Sequence, residues 1–378
     1  MKRKIACIAA LCMALSGCSW MDGSYVSVTP YREHGNQYQV ESYSASNEAE
    51  LRGVLEELVE AGTESAVINV ADFDQDKVES HVAAAVQYVC EIFPVGAFAV
   101  DTVNYEIGTG GGKPAVAVNI SYVYGRSVLR QIQSVPDMTA AEEGVAQALE
   151  GCDEGLVLLV ENYEPVDMVQ WVADFAEQNP QSVMETPQVA VGVYPDQGQT
   201  RVVELKFTYQ NSRDSLRQMQ SQVQPVFASA ALYVSGEGVD YQKYAQLYAF
   251  LMERFDYTIE TSITPSYSLL RHGVGDCKAF ATVYAAMCHQ AGLECMVITG
   301  TRAGEPWTWN MIYDGGAESY YHVDLLYSNA AGSYLQLTDV EMGGYVWDYS
   351  AYPAAEGVQP ETPAPTESDV REIEGNQQ

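Results

Sequence analysis

The sequence predicts an α+β protein, with two tandem αβαββ units followed by a third domain of mixed helix and strand. Three observations predict it. Val116, Val118, Ile120 and Tyr122 return as Val203, Leu205, Phe207 and Tyr209, and Leu129-Arg130-Gln131 returns as Leu216-Arg217-Gln218, all at one fixed offset. The first four positions alternate as a half-buried strand does, so a duplicated unit is the simplest account. Next, Asp240 to Phe255 carries Tyr244, Leu247, Leu251 and Phe255 at helical spacing, an amphipathic helix that opens the third domain. Finally, Gly273-Val274-Gly275-Asp276-Cys277 is a glycine-rich turn running into a helix whose apolar face is Ala281, Tyr284, Ala285 and Cys288.

The chain starts with a processing signal. Lys2, Arg3 and Lys4 precede an apolar run from Ile5 to Leu15 that falls short of the roughly 20 residues a bilayer-spanning helix needs. Leu15-Ser16-Gly17-Cys18 resembles a lipobox, which implies removal of residues 1–17 and attachment of acyl chains such as palmitate to Cys18. That predicts a lipoprotein tethered to the outer face of a bacterial membrane. Residues 18–45 form a polar tether, with room for a short strand near Tyr38 to Tyr43.

In the first unit (46–134), helices are expected at Asn47 to Ala61 and Asp76 to Ile92. A strand is expected at Ser65 to Val70, and a hairpin from Ala97 to Ile107 and Pro114 to Tyr124. In the second (135–223), helices are expected at Ala140 to Leu149 and Val166 to Glu177, with strands at Gly155 to Glu161, Pro187 to Tyr194 and Thr200 to Gln210. The third domain spans 224–353 and includes a strand at Tyr334 to Asp339. From 354 to 378, Pro, Glu, Thr and Gly dominate and predict a disordered acidic tail.

The net charge of −32 becomes about −35 once the three positive charges of the signal leave. Nucleic acid and anionic lipid surfaces are therefore poor partners. Of the eight cysteines, Cys90, Cys152, Cys277, Cys288 and Cys295 remain after Cys7, Cys12 and Cys18 are accounted for. Cys288 and Cys295 could pair, but both also read as small buried hydrophobes. Asp72-Phe73-Asp74-Gln75-Asp76 hints at a calcium loop, yet Lys77 stands where glycine is needed and Ala83 where a bidentate Glu is needed. Gly108 to Gly112 lacks phosphate-loop spacing and reads as a hairpin turn. No cofactor is implied.

The order Gly-x-Gly-x-Cys277, then Trp307-Thr308-Trp309-Asn310, then His322-Val323-Asp324 resembles the transglutaminase-like family over roughly 226–353. The resemblance implies a papain-like cysteine-protease-type fold, with the nucleophile at a helix start and an orienting Asp on a later strand. The family writes His-Ala-Trp-Asn where this chain writes Trp307-Thr308-Trp309-Asn310. Cys277 and Asp324 thus stand at the nucleophile and acid positions, with Trp307 at the position of the base.

A cysteine at a helix N-terminus faces unpaired backbone N–H groups that favour thiolate and oxyanion. Indole N–H is only a donor, so Trp307 can neither take the thiol proton nor return it to a leaving amine. His322 lies two residues before Asp324 on a strand, on the same face, and is the one histidine placed to substitute. His289 is at the far end of the Cys277 helix, roughly 18 Å away at about 1.5 Å per residue. Trp307, Trp309 and Tyr321, with Tyr320, Tyr327, Tyr345 and Trp347, can either line a ligand cleft or pack the core, and Trp309 is the clearest core member.

The reading with most support is a lipid-anchored cell-surface protein whose third domain is a catalytically impaired binding or scaffold module of the envelope. The alternative is an active thiol peptidase or acyl transferase on protein or cell-wall peptide amides, using Cys277 with His322 and Asp324. Partners are then the membrane, through Cys18, and a peptide, protein or cell-wall ligand. Cys18→Ser should release the protein from the membrane fraction or block its maturation; fractionation and immunoblotting test this, and unchanged membrane retention refutes the anchor.

Overall fold

The computed structural model describes residues 43–234 and 238–357. The 1–17 signal, Cys18, the tether as far as residue 42, and 358–378 lie outside the described residues.

The first unit runs β1 (Tyr43–Ser44), α1 (Glu48–Glu60), β2 (Ser65–Asn69), α2 (Val78–Glu91), α3 (Pro94–Ala99), β3 (Val100–Gly110), β4 (Lys113–Tyr122) and a single helical turn α4 (Arg126–Leu129). The second runs β5 (Gln133–Asp137), α5 (Met138–Glu150), β6 (Gly155–Asn162), α6 (Met168–Gln178), β7 (Gln188–Tyr194), β8 (Arg201–Thr208) and α7 (Arg213–Tyr233). The sheet orders are β1-β2-β4-β3 and β5-β6-β8-β7, the same order in each half.

The repeated residues explain why. Val116, Val118 and Ile120 on β4 and Val203, Leu205 and Phe207 on β8 are buried, as are Leu129 and Leu216 beyond them. α1 and α5 are each capped by a side chain, Asn47 accepting from the Glu50 N–H and Asp137 from the Ala140 N–H, both at 3.0 Å. Arg126 Nε donates to the Gly62 carbonyl at 2.7 Å and Arg213 Nε to the Gly151 carbonyl at 3.2 Å, a further equivalence. The two tyrosines differ. Tyr122 donates to the Leu58 and Thr63 carbonyls, whereas the buried Tyr209 hydroxyl has no hydrogen-bond partner among the described residues.

Several expected boundaries move. The strand expected from Ala97 begins at Val100, because Pro94 opens α3 from its first position. That helix lies so close to α2 that a Cβ on Gly96 would fall 2.0 Å from the Val89 carbonyl oxygen. The helices expected at 140–149 and 166–177 are α5 and α6, and β5 was not anticipated. The boundary expected between 223 and 224 falls inside α7. Pro225 suggests a break there, yet the helix continues, and Leu216, Val223, Phe227 and Ala230 enter the core of the third domain.

That domain comprises α8 (Asp240–Met252), β9 (Asp256–Tyr257), β10 (Val274–Gly275), α9 (Cys277–Gln290), β11 (Cys295–Arg302), β12 (Glu305–Asp314), β13 (Ser319–Val323), α10 (Leu325–Ala331) and β14 (Tyr345–Val346). Its sheet is antiparallel with order β13-β12-β11-β14. One face packs on α9 through Cys295, Ile312 and Val323, and the other carries Ile298, Trp309, Met311, Tyr345 and Trp347. Cys288 and Cys295 are buried free thiols.

The strand expected at 334–339 is reduced to one bridge, Leu337 with His322, followed by a single 3-10 turn, Asp339–Glu341. The tail was expected from 354, but Ala355 is fully buried, and its N–H donates to Asp339 Oδ2 at 3.2 Å. Leu216→Ala, at the junction of the second repeat and the third domain, should cost about 2–5 kcal/mol of unfolding free energy by urea titration. Leu129→Ala, at the equivalent place in the first repeat, should cost less than Leu216→Ala, because its side chain is 7% rather than 1% exposed.

Candidate active site at the start of α9

Three local devices present Cys277. Gly273 takes a left-handed conformation (φ +83°) that turns the chain out of the preceding helical segment. Gly275 leaves no room for a side chain, since a Cβ would meet Ala279 Cβ and Leu269 Cδ1 at 3.0 Å. Asp276 then caps α9, accepting from the Ala279 N–H at 2.8 Å. Cys277 is the first residue of the helix and is partly exposed.

The thiol sits in a notch in the sheet. β13 pairs with β12 only from Asn310 to Asp314, so among the described residues the preceding part of β12 lacks a strand neighbour on that side. The Thr308 backbone N–H there lies near enough to the Cys277 sulfur to favour its thiolate, as does the N–H of Lys278. Burial nevertheless pushes the thiol above its ordinary value. The two N–H groups oppose that rise, and the negative charges of Asp276 and Asp324 add to it. Cys277 is therefore a neutral thiol at pH 7.

Asp324 follows β13 directly and is only 2% exposed. Its Oδ1 caps α10, accepting from the Leu326 and Tyr327 N–H groups at 3.0 Å. Its Oδ2 accepts from Trp307 Nε1 at 2.8 Å and the Tyr345 hydroxyl at 2.6 Å, with Arg302 Nη1 at 3.5 Å. The indole N–H thus makes the kind of bond to the acid that an orienting imidazole N–H would make. What an indole lacks is the second ring nitrogen that would accept a thiol proton.

The surrounding space is filled. The Arg302 guanidinium lies over the rings of Trp307 and Tyr327 at 5.2 Å and Tyr345 at 5.4 Å. Tyr257 stands beside Trp307 with ring centroids 5.9 Å apart. The Tyr345 hydroxyl, its pKa raised by burial and by Asp324, stays protonated as a donor.

His322 faces the same side of the sheet as Asp324 but engages other groups. It is fully buried, accepts from Trp309 Nε1 at Nδ1 (3.0 Å), and meets Asp339 Oδ1 at Nε2 (2.9 Å). Its ring packs edge-on against Trp347, with centroids 4.7 Å apart. Burial lowers its pKa despite Asp339, so it is neutral at pH 7. Both nitrogens are committed, and none is left for a thiol. Trp309 is 1% exposed and belongs to the core. Tyr321 packs on the opposite face, against the core around α9. The structure therefore gathers Cys277, Trp307 and Asp324, and places His322, Trp309 and Tyr321 elsewhere.

Tyr257 and Arg302 were not anticipated, and Tyr345, expected either to line a cleft or to pack the core, donates to Asp324. For Arg302 a signal existed. Ala303-Gly304 is a two-residue turn with positive φ at both positions, and this register pairs Gly300 with Trp307, putting Arg302 one alternate position away on the same face. Among the described residues no group of three His, Cys, Asp or Glu side chains could hold a metal ion.

The model of the transglutaminase-like superfamily matches residues 228–325, which include α9, β11, β12, β13 and Asp324. The chain carries a transglutaminase-like domain. Solved structures similar to the chain include a TGase (12% identity, TM-score 0.25) and a candidate cysteine protease from Cytophaga hutchinsonii (13%, 0.25). A third is a candidate protease from Parabacteroides distasonis (10%, 0.22). They align over 46%, 40% and 68% of this chain, and the chain spans 51%, 65% and 39% of their own lengths. A search of curated proteins finds no match.

Iodoacetamide should modify Cys277 slowly at neutral pH, with a rate still climbing above about pH 9, because the folded-state pKa is raised. A rate that levels off near about pH 6 would indicate a stabilised thiolate and contradict this electrostatic picture.

Proposed function

We propose that the protein is a lipid-anchored component of the cell envelope whose transglutaminase-like domain binds a peptide or cell-wall ligand and does not turn it over. The observation that carries this reading is the Trp307 indole bonded to Asp324 at 2.8 Å, where the reaction needs a base. Acyl transfer through a neutral thiol requires a group to remove its proton and later protonate the leaving amine. In a Ser-His-Asp hydrolase, loss of the base costs on the order of a million-fold in rate. A pre-ionised cysteine would lose less, but burial and two nearby carboxylates oppose ionisation here. The rings of Tyr257 and Trp307, which stand together near the thiol, and of Tyr327, across Arg302 from Trp307, are at least partly exposed and offer stacking surface for a ligand.

The test compares wild type, Cys277→Ala and His322→Ala on one library of glutamine-containing and wall peptides. No Cys277-dependent hydrolysis or amine transfer is expected. Turnover that both substitutions abolish would establish an active enzyme with a relocated base and overturn this reading. Trp307→His would set an imidazole on Asp324 and should lower the pH at which Cys277 alkylates, a change that differential alkylation measures directly.

A further inference from the structure

β11 is left open along most of its outer edge. β14 pairs only with Thr301 and Arg302, with the Val346 carbonyl against Gly300, so among the described residues the strand from Cys295 to Thr299 has a strand neighbour on the β12 side alone. On the open side two carbonyls are met by side chains in place of a strand. The Cys295 carbonyl lies 2.7 Å from His289 Nε2, and the Val297 carbonyl accepts from the Tyr352 hydroxyl at 3.4 Å. The edge residues Cys295 to Gly300 include no Pro or charged side chain of the kind that normally blunts such an edge.

A cleft of about 530 Å³ runs along this edge. Its lining includes Met296, Val297 and Thr299 of β11, Asp174 and Glu177 of α6, and Glu294. The cleft is separate from the notch at Cys277, since α9 contributes Ala285 and His289 to it, well along the helix. Residues whose side chains share the Val297 side of the sheet face α9 and its core. In an added antiparallel strand, the residues that bond to Val297 and Thr299 would project to that same side, toward α6.

Charge selects the occupant. The wall of the cleft is acidic, and Lys278, paired with Glu177 at 2.5 Å, offsets only part of it. A second copy of this chain carries −32. The chain's own C-terminal segment holds Glu361, Glu367, Asp369, Glu372 and Glu374 against Arg371 alone. Both are repelled.

We propose that the open edge of β11 is a strand-addition site for an extended segment of a partner protein with lysine or arginine at alternate positions. Its backbone would bond to Val297 and Thr299, and its cations would face Asp174, Glu177 and Glu294.

The test uses the full chain and a fluorescent octapeptide of alternating Lys and Thr, read by anisotropy and amide hydrogen exchange. Binding should come with slowed exchange at the Val297 and Thr299 amides. The same peptide with N-methylated lysine backbone groups keeps its charge but cannot donate, and should bind at least about tenfold more weakly. Asp174→Lys should weaken the unmethylated peptide at least about fivefold. Cys277→Ala should bind as wild type does, which separates this site from the cleft of the proposed function. Equal binding of the methylated peptide, unchanged exchange at Val297 and Thr299, or no binding at about 1 mM peptide would each overturn the proposal.

Discussion

The carboxylate of Asp324 is the constraint around which the transglutaminase-like domain is arranged. It sits where β13 stops and α10 begins, nearly out of contact with water. A buried carboxylate without partners costs several kcal/mol, so the chain must surround it with donors. Oδ1 is satisfied by the first turn of α10, and Oδ2 by Trp307, Tyr345 and Arg302. Those three come from β12, from β14 and from the end of β11. One charge thus fixes the register of three strands and the start of a helix. It also ends the pairing of β13 with β12, and this leaves the notch in which the Cys277 sulfur meets the Thr308 N–H.

That arrangement meets the structural needs of the acid with an indole N–H. Trp307 supplies the N–H that an orienting imidazole would supply, so Asp324 is not left unpaired. Arg302 adds a positive charge among three aromatic rings, and it bonds the acid rather than activating the thiol. The thiol keeps two backbone donors yet is held neutral by its own burial and by Asp276 and Asp324. The one histidine on the same face, His322, serves as a buried connector between Trp309 and Asp339. Among the described residues, the ring that bonds to Asp324 beside the thiol is an indole and not an imidazole.

The repeats and the third domain are tied together by α7. In the first repeat the equivalent segment is a single turn, Arg126–Leu129; in the second it lengthens to Arg213–Tyr233 and continues into the core beside α8 and α9. Its buried residues recur at helical spacing on both sides of Pro225, which removes only one backbone donor. The apolar stripe outweighs that loss, and no linker separates the two parts. α6 of the second repeat likewise lies beside the outer edge of β11.

The sequence by itself determined the duplication, because alternating core positions on β4 and β8 must match wherever the same sheet is built twice. It determined the Cys277 turn, because few residues other than glycine fit φ +83° or the space beside Ala279 and Leu269. It also determined that Trp307 cannot be a base, since that follows from indole chemistry alone. Only the tertiary structure decided what Trp307 does instead, because a bond between β12 and the end of β13 depends on strand register. It likewise decided the place of His322: spacing puts His322 and Asp324 on one face, but not which neighbours each meets there. Burial of Trp309 and Trp347 around the imidazole turned one toward the core, and the helix start at Leu325 turned the other toward the notch.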